Sequence, residues 1–380
     1  MFLASRASDW RLSFIPFIIG CVYLWLFYFQ IKYSTEAIIL FVLSLVTSCG
    51  FASLGYFINE FFDKKSDAKA GKINRLALLP GIYQFLLFSA TLSITILPWL
   101  VLPFDKFSIC LISLEFFLFL IYSLPYPRFK EIALLSNLID ALYAYVVPLI
   151  LAFHTYSLFA GGKFDSFILL FSITAFVIGF RNILIHQVND VFKDKKSGIK
   201  TLPAFLGVYN TNLLIKLLIF FEFVLVNAFS IDIFFKTPLF LIWIIFFNLY
   251  FLIKLYRNRH GLSSIYISIQ QTRHFTDHIY QIFFPLITLG LLLYLDYRWL
   301  LLLPLHLFFL VPKSLFENIK NYLLKMLSYA IGLSSRLKNI FFRILSTIVN
   351  YPIYYLFLLF GVDLKKENKS ALEYLKSKWT

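Results

Sequence analysis

Unbroken apolar runs, each about as long as a bilayer is thick, dominate this chain. They fall at approximately 12–31, 36–58, 82–104, 107–124, 133–153, 167–187, 205–230, 238–256 and 279–297, with a shorter run at 299–311. At about 1.5 Å rise per residue, roughly 20 apolar residues cross a ~30 Å hydrocarbon core as a helix. Lipid offers backbone amides no partners, so a spanning segment is a helix or part of a closed barrel. Barrel strands would alternate in polarity over ten-residue segments, and these runs do not. The expected fold is therefore all-α: a polytopic membrane bundle of about nine helices, or ten if 299–311 also crosses. No small-residue cleavage site follows the run at 12–31, so it is read as a first span.

Composition excludes the soluble alternative. Only 14% of residues are charged, against about 25% in soluble domains. No single soluble core would hide 47 Phe and 23 Tyr. Cys21, Cys49 and Cys110 stand far apart within apolar runs and suggest neither a disulfide framework nor a metal site. The net charge is +15. No nucleic-acid module accompanies it, and its distribution follows the membrane instead. Lys64, Lys65, Lys69, Lys72 and Arg75 share one face with Arg128, Lys130, Lys193, Lys195, Lys196, Lys200, Lys254, Arg257, Arg259 and Arg273. The opposite loops carry only Lys32, Lys106, Lys163 and Lys236. The positive-inside rule puts the N-terminus and the richer loops in the cytoplasm. The expected setting is a bacterial cytoplasmic membrane with anionic lipids as partners. Residues 1–312 read as one transmembrane domain. Residues 313–380 read as a basic amphipathic tail: an interfacial helix, a further span or a partner surface.

One motif occurs twice. Asn59-x3-Asp63-x3-Asp67-x3-Gly71 is echoed by His186-x3-Asp190-x3-Asp194-x3-Gly198, and both copies begin where an apolar run ends. Residues four apart on a helix lie on one face, so each Asp pair points the same way. Like charges at that spacing cost about 0.2–0.5 kcal/mol. Setting them twice at a membrane boundary calls for a cation, and Mg2+ takes oxygen ligands that it shares with substrate phosphates. A solvated interfacial face neutralised by Lys64, Lys65, Lys195 and Lys196 is the plain alternative; the matched second copy weighs against it. Lys72, Arg75, Lys130 and Lys200 are candidate cations for phosphate oxygens.

These residues resemble the UbiA-type superfamily of intramembrane prenyltransferases. The Asn-x3-Asp-x3-Asp motif is matched by Asn59, Asp63 and Asp67. The second Asp-x3-Asp, with its following Gly-x-x-Thr, is matched by Asp190, Asp194, Gly198 and Thr201. A Tyr-Pro-x-x-Lys segment falls on Tyr126, Pro127 and Lys130, the polar residue after it on Asn137, and an Arg and Pro of the first span on Arg11 and Pro16. The similarity spans about 6–310. It implies helices around a central cavity capped by the acidic motifs, and a polyprenyl diphosphate donor bound through Mg2+. It also implies a lipid-soluble or aromatic acceptor.

On that resemblance Asp63, Asp67, Asp190 and Asp194, with Asn59, hold the metal, and Lys130 stabilises the leaving diphosphate. The ring of Tyr126 shields an allylic cation. Arg11, Lys72, Arg75, Asn137, His186 and Lys200 bind substrate. The family's Arg-Thr-x-x-Arg-Pro is here Lys72-Ile-Asn-Arg75-Leu, which leaves the acceptor open. Two other readings stand beside this one: phosphoribosyl transfer from a diphosphate donor to polyprenyl phosphate, and a non-enzymatic transporter or lipid-binding scaffold. The intramembrane polar residues Glu115, Asn137, Asp140, Arg181 and Asn182 are further functional candidates, or helix–helix contacts.

Overall fold

The computed structural model describes residues 15–71, 73–126, 129–162, 167–197, 201–257 and 279–304. Among these, regular structure is helical apart from one isolated backbone bridge. Nine helices follow in order: α1 (Ile15–Tyr28), α2 (Thr35–Ala70), α3 (Gly81–Ile96), α4 (Lys106–Ser123), α5 (Ala133–Phe159), α6 (Phe167–Ser197), α7 (Leu202–Lys236), α8 (Leu241–Arg257) and α9 (Ile279–Leu295). Six of them, α2 to α7, are long and apolar enough to cross a membrane, by length and composition. The chain is an integral membrane protein. The run at 299–311 does not begin as an α-helix. Tyr297–Leu302 is a 3-10 turn capped by Asp296, whose carboxylate accepts from the Arg298 amide, and residues beyond 304 lie outside the described ones.

Two helices overrun their apolar segments. α2 has 36 residues and α6 has 31. Each continues roughly 15–18 Å past its apolar run at the ordinary helical rise, and the acidic motif lies along this extension. Local signals set the ends of α2. Ser34 accepts from the Ala37 amide at its start, and Gly71, at φ 66°, closes it in the left-handed conformation that glycine adopts without a Cβ penalty.

α1 is enclosed on all sides, with Ile15–Phe27 buried, and α9 lies along it. That contact depends on Gly20: a Cβ there would come 2.7 Å from the Phe284 ring. Gly50 does the same between α2 and α3, where a Cβ would meet the Thr95 backbone nitrogen at 2.7 Å. Without a hydrophobic drive between helices in lipid, such small residues let the backbones approach. At the end away from the motifs the loops are stitched together. The Tyr33 amide donates to Asp296 Oδ2 at 3.1 Å, and His154 Nε2 lies 2.9 Å from Asp105 Oδ1. The Ser108 amide, then His154, hold the Asp105 carboxyl down at about 2.

Inside the bundle Arg181 on α6 donates through Nε to Glu222 on α7 at 2.7 Å, and Tyr280 on α9 donates to the other Glu222 oxygen at 2.8 Å. Arg181 and Glu222 are 1% and 3% exposed. This triad ties three helices together, so Arg181 takes the helix–helix role rather than a place in a cavity. Truncating one partner of a buried pair leaves an uncompensated charge. Arg181→Ala is expected to cost about 3–5 kcal/mol, whereas Arg181→Met with Glu222→Leu is expected to be near neutral. Thermal unfolding in detergent reads both; equal loss in the single and double variants would contradict this account.

Candidate diphosphate and metal site

The site begins on the exposed turns of α2. Asn59, Asp63 and Asp67 fall on one helical face, as their spacing predicts. Opposite them a 3-10 turn, Phe129–Glu131, presents Lys130. Its ammonium donates to Asn59 Oδ1 at 3.1 Å and forms an ion pair with Asp63. Both side chains of that pair are largely buried, at 12% and 13% exposure. Two oxygens from successive turns thus converge on one cation. Lys64, the nearest alternative counter-ion in sequence, goes elsewhere: it bonds Gln84 and lies over the Phe61 ring. The neighbouring lysine of the helix therefore does not quench the motif.

A second device holds Asp67. The segment after Gly71 turns back along α2. Asn74, buried, donates to Asp67 Oδ2 at 2.9 Å and to the Glu60 carbonyl at 2.8 Å, and accepts from the Ala77 amide at 2.9 Å. The Glu60 carboxylate accepts the Arg75 amide at 3.1 Å. A small cluster of Phe57, Leu76 and Leu87 anchors the same loop.

The second motif lies at the same end. Ala133, at the start of α5, forms a parallel backbone bridge with Thr201, just past the motif-bearing end of α6. Asp190 is partly exposed, and His186 Nε2 lies 3.8 Å from its Oδ2, too long for a hydrogen bond. Gln187, one turn before Asp190, donates to Asn137 Oδ1 at 2.9 Å. The donor set is hard oxygen, and Lys130 marks where α2 converges on a cation. Among the described residues no three His, Cys, Asp or Glu side chains meet at one point. The Asp63 carboxylate and Asn59 amide oxygens, side by side on one face, are ligands of the kind that Mg2+ takes beside phosphate oxygens.

The sequence matches the profile of the UbiA prenyltransferase family over residues 13–264. The chain belongs to that family. Among solved structures it is similar to a UbiA homologue from Archaeoglobus fulgidus bound to GPP and Mg2+. The identity is 17% and the TM-score 0.52, over 77% of this chain and 99% of the other. The same homologue bound to DMAPP and Mg2+ gives a TM-score of 0.52 over 77% and 98%. A UbiA homologue from Aeropyrum pernix K1 in its apo form gives 0.52 at 14% identity, over 74% and 98%. At these identities the likeness shows the fold. No curated protein matches the chain.

Set against the expected residues of a UbiA family member, the structure brings together Asn59, Asp63 and Lys130, with Asp67 on the same helix face. Asp194 falls on the final turns of α6. Asn137 is fully buried; its amide oxygen takes Gln187 and Ser136, so it holds α6 against α5 instead of facing open space. The Tyr126 ring points outward, 90% exposed, and is not brought to the motif. Arg75 is exposed and reaches the site through its backbone amide. Arg11, Lys72, Lys200, Pro127 and Gly198 lie outside the described residues, as does the tail at 313–380.

Sequence reasoning missed Glu60 and Asn74, and it missed a tyrosine cluster. Tyr122 on α4 lies within electrostatic reach of Asp63, Asp140, Tyr56 and Tyr143. Tyr56 was legible: it continues the Asn59–Asp63 face one turn inward. A groove of about 1230 Å³, lined by residues such as Tyr28, Lys236 and Tyr294, lies at the far end. It carries no acidic motif, and its lysine is engaged by the Tyr28 hydroxyl at 2.6 Å.

Asn74→Ala removes a hydrogen bond to a charged group and frees the loop. It is expected to cost about 1.5 kcal/mol or more and to speed amide exchange at Arg75 and Ala77. Unaltered exchange at both amides would show that the loop is held by something else.

Proposed function

We propose that this chain transfers a polyprenyl group from its diphosphate to a lipid-soluble or aromatic acceptor, with Mg2+, at the end of the bundle where the two acidic motifs lie. The observation that carries the reading is the convergence of Asn59 and Asp63 on the Lys130 ammonium, beside Asp67 and at the same end as Asp190. Family membership supports it, as do the GPP, DMAPP and Mg2+ bound by the A. fulgidus homologue. The Lys and Arg bias puts that end in the cytoplasm.

Asn59, Asp63, Asp67, Asp190 and Asp194 would hold Mg2+, which when bound supplies positive charge to the diphosphate oxygens as the allylic C–O bond breaks. Lys130 is already oriented by Asn59 and Asp63, so its ammonium meets the leaving oxygen without reorganisation. Lys72, Arg75 and Lys200 add cations along the loops on that side. Asn74 keeps Asp67 on the face it shares with Asp63. The apolar bundle beneath excludes water, which would otherwise trap the allylic cation as an alcohol.

With purified protein in detergent and geranylgeranyl diphosphate as donor, diphosphate release in the presence of quinone precursors, phenols and membrane lipids is expected to require Mg2+. Asp63→Ala, Asp190→Ala and Lys130→Met are each expected to lower it about 100-fold or more, the usual loss when a group aimed at developing charge is removed. Release that persists in EDTA, or variants that match the unaltered protein, would contradict the proposal. Consumption of phosphoribosyl diphosphate would move it to the phosphoribosyl reading.

A further inference from the structure

The two halves of the chain share a second motif. Asp140-x2-Tyr143-x4-Pro148-Leu149-Ile150 recurs as Asp277-x2-Tyr280-x4-Pro285-Leu286-Ile287. In both copies the helix widens into a π turn, Leu142–Val146 in α5 and Ile279–Phe283 in α9, on corresponding residues of the repeat. The prolines supply the cause. Neither has an N–H for the carbonyl four residues back, so the hydrogen-bond ladder slips by one. Each π turn carries a tyrosine whose hydroxyl donates to a carboxylate. Tyr143 donates to Asp140 Oδ1 at 2.5 Å, and Tyr280 to Glu222 Oε1 at 2.8 Å. Asp277 itself lies outside the described residues.

The two carboxylates are compensated differently. Glu222 has Arg181 and is sealed in the bundle. Asp140 is half-buried, and among the described residues no lysine, arginine or histidine pairs with it. A carboxylate in a membrane bundle is expensive, and one retained without a counter-charge marks a functional position. Its surroundings lead back to the donor. The Tyr143 ring meets Tyr122 at 5.4 Å and Phe119 at 5.2 Å. Tyr122 in turn lies within reach of both Asp140 and Asp63. Tyr122 and Tyr143 thus stand between the Asp140 carboxylate and the field of Asp63, joined by the ring contact and the hydrogen bond.

We propose that Asp140, positioned by Tyr143, takes the proton of an acceptor hydroxyl during transfer. The proposal rests on the prenyl-transfer reading above. The C1–O bond of the donor breaks, and the diphosphate leaves with the electron pair towards Lys130 and the motif carboxylates. The acceptor's nucleophilic atom supplies the pair that forms the new bond to C1. The hydroxyl proton passes to the Asp140 carboxylate and from there to solvent. Tyr143 is a positioning residue; it fixes one Asp140 oxygen and leaves the other to the acceptor. In the second copy Tyr280 donates instead to Glu222 of α7, a carboxylate already paired with Arg181, so there the tyrosine serves as a structural tie.

The test uses the full chain in nanodiscs. Donor binding is read with geranylgeranyl S-thiolodiphosphate and Mg2+. Transfer is read from geranylgeranyl diphosphate to phenols, dihydroxynaphthoates and glycerol phosphate lipids, each beside its O-methyl ether. Asp140→Asn is expected to leave donor Kd and thermal stability unchanged while transfer falls about 100-fold or more, the usual share of a proton-accepting group. Tyr143→Phe is expected to act mainly on acceptor KM, Asp140→Glu to recover part of the rate, and the methyl ethers to remain unprenylated. Full transfer by Asp140→Asn would overturn the proposal. So would a donor Kd that weakens in step with the rate, a methyl ether that serves as well as its parent, or a donor-binding protein that prenylates no hydroxylated acceptor. Failure of the unaltered protein to bind the donor analogue with Mg2+ would instead remove the prenyl-transfer reading beneath it.

Discussion

Two carboxylates on one helical face at the edge of a membrane repel each other and are poorly hydrated on the bundle side. That repulsion asks for a cation, and much of this architecture answers it. α2 is extended beyond its apolar run so that Asn59, Asp63 and Asp67 stand clear of lipid. The 3-10 turn at Phe129–Glu131 brings Lys130 across to Asp63. The loop after Gly71 is pinned through Asn74 and Glu60 so that Asp67 keeps its place. On the proposed reading the same face takes a metal and the oxygens of a diphosphate.

Much of this was legible in the sequence because the signals are strong and local. Runs of bilayer length located the apolar helices of the described residues, since lipid leaves a spanning segment few alternatives. The Asp spacing located the helix face that Asn59, Asp63 and Asp67 share, since four residues make about one turn. Tyr-Pro-x-x-Lys located Lys130, although Tyr126 of the same segment faces outward. What was not legible depends on distance between helices. Nothing in the order of residues says that Asn74 reaches Asp67, or that Asn137 spends its amide on Gln187. Arg181 read equally well as a cavity residue until Glu222, on the next helix, was seen beside it.

The duplication deepens this division. Both halves carry an acidic pair at a helix end and a proline-driven π turn bearing a tyrosine. The tyrosines of the two turns have different partners. In the second half Tyr280 donates to Glu222, which Arg181 neutralises, and the three lock α6, α7 and α9 together. In the first half Tyr143 donates to Asp140, which among the described residues has no cationic partner. One tyrosine braces a charged pair; the other holds the carboxylate that we propose takes a proton.

The central claim is that motifs on two different helices grip one diphosphate jointly. A double-variant cycle on donor binding tests it most directly: Mg2+-dependent Kd of the thiolodiphosphate analogue for the unaltered protein, Asp63→Asn, Asp190→Asn and the pair. Shared ligation predicts that each single change weakens binding strongly and that the second adds little to the first, a coupling of about 1 kcal/mol or more. Strictly additive losses, or a Kd indifferent to Asp190, would contradict a joint grip and leave the two motifs as separate sites.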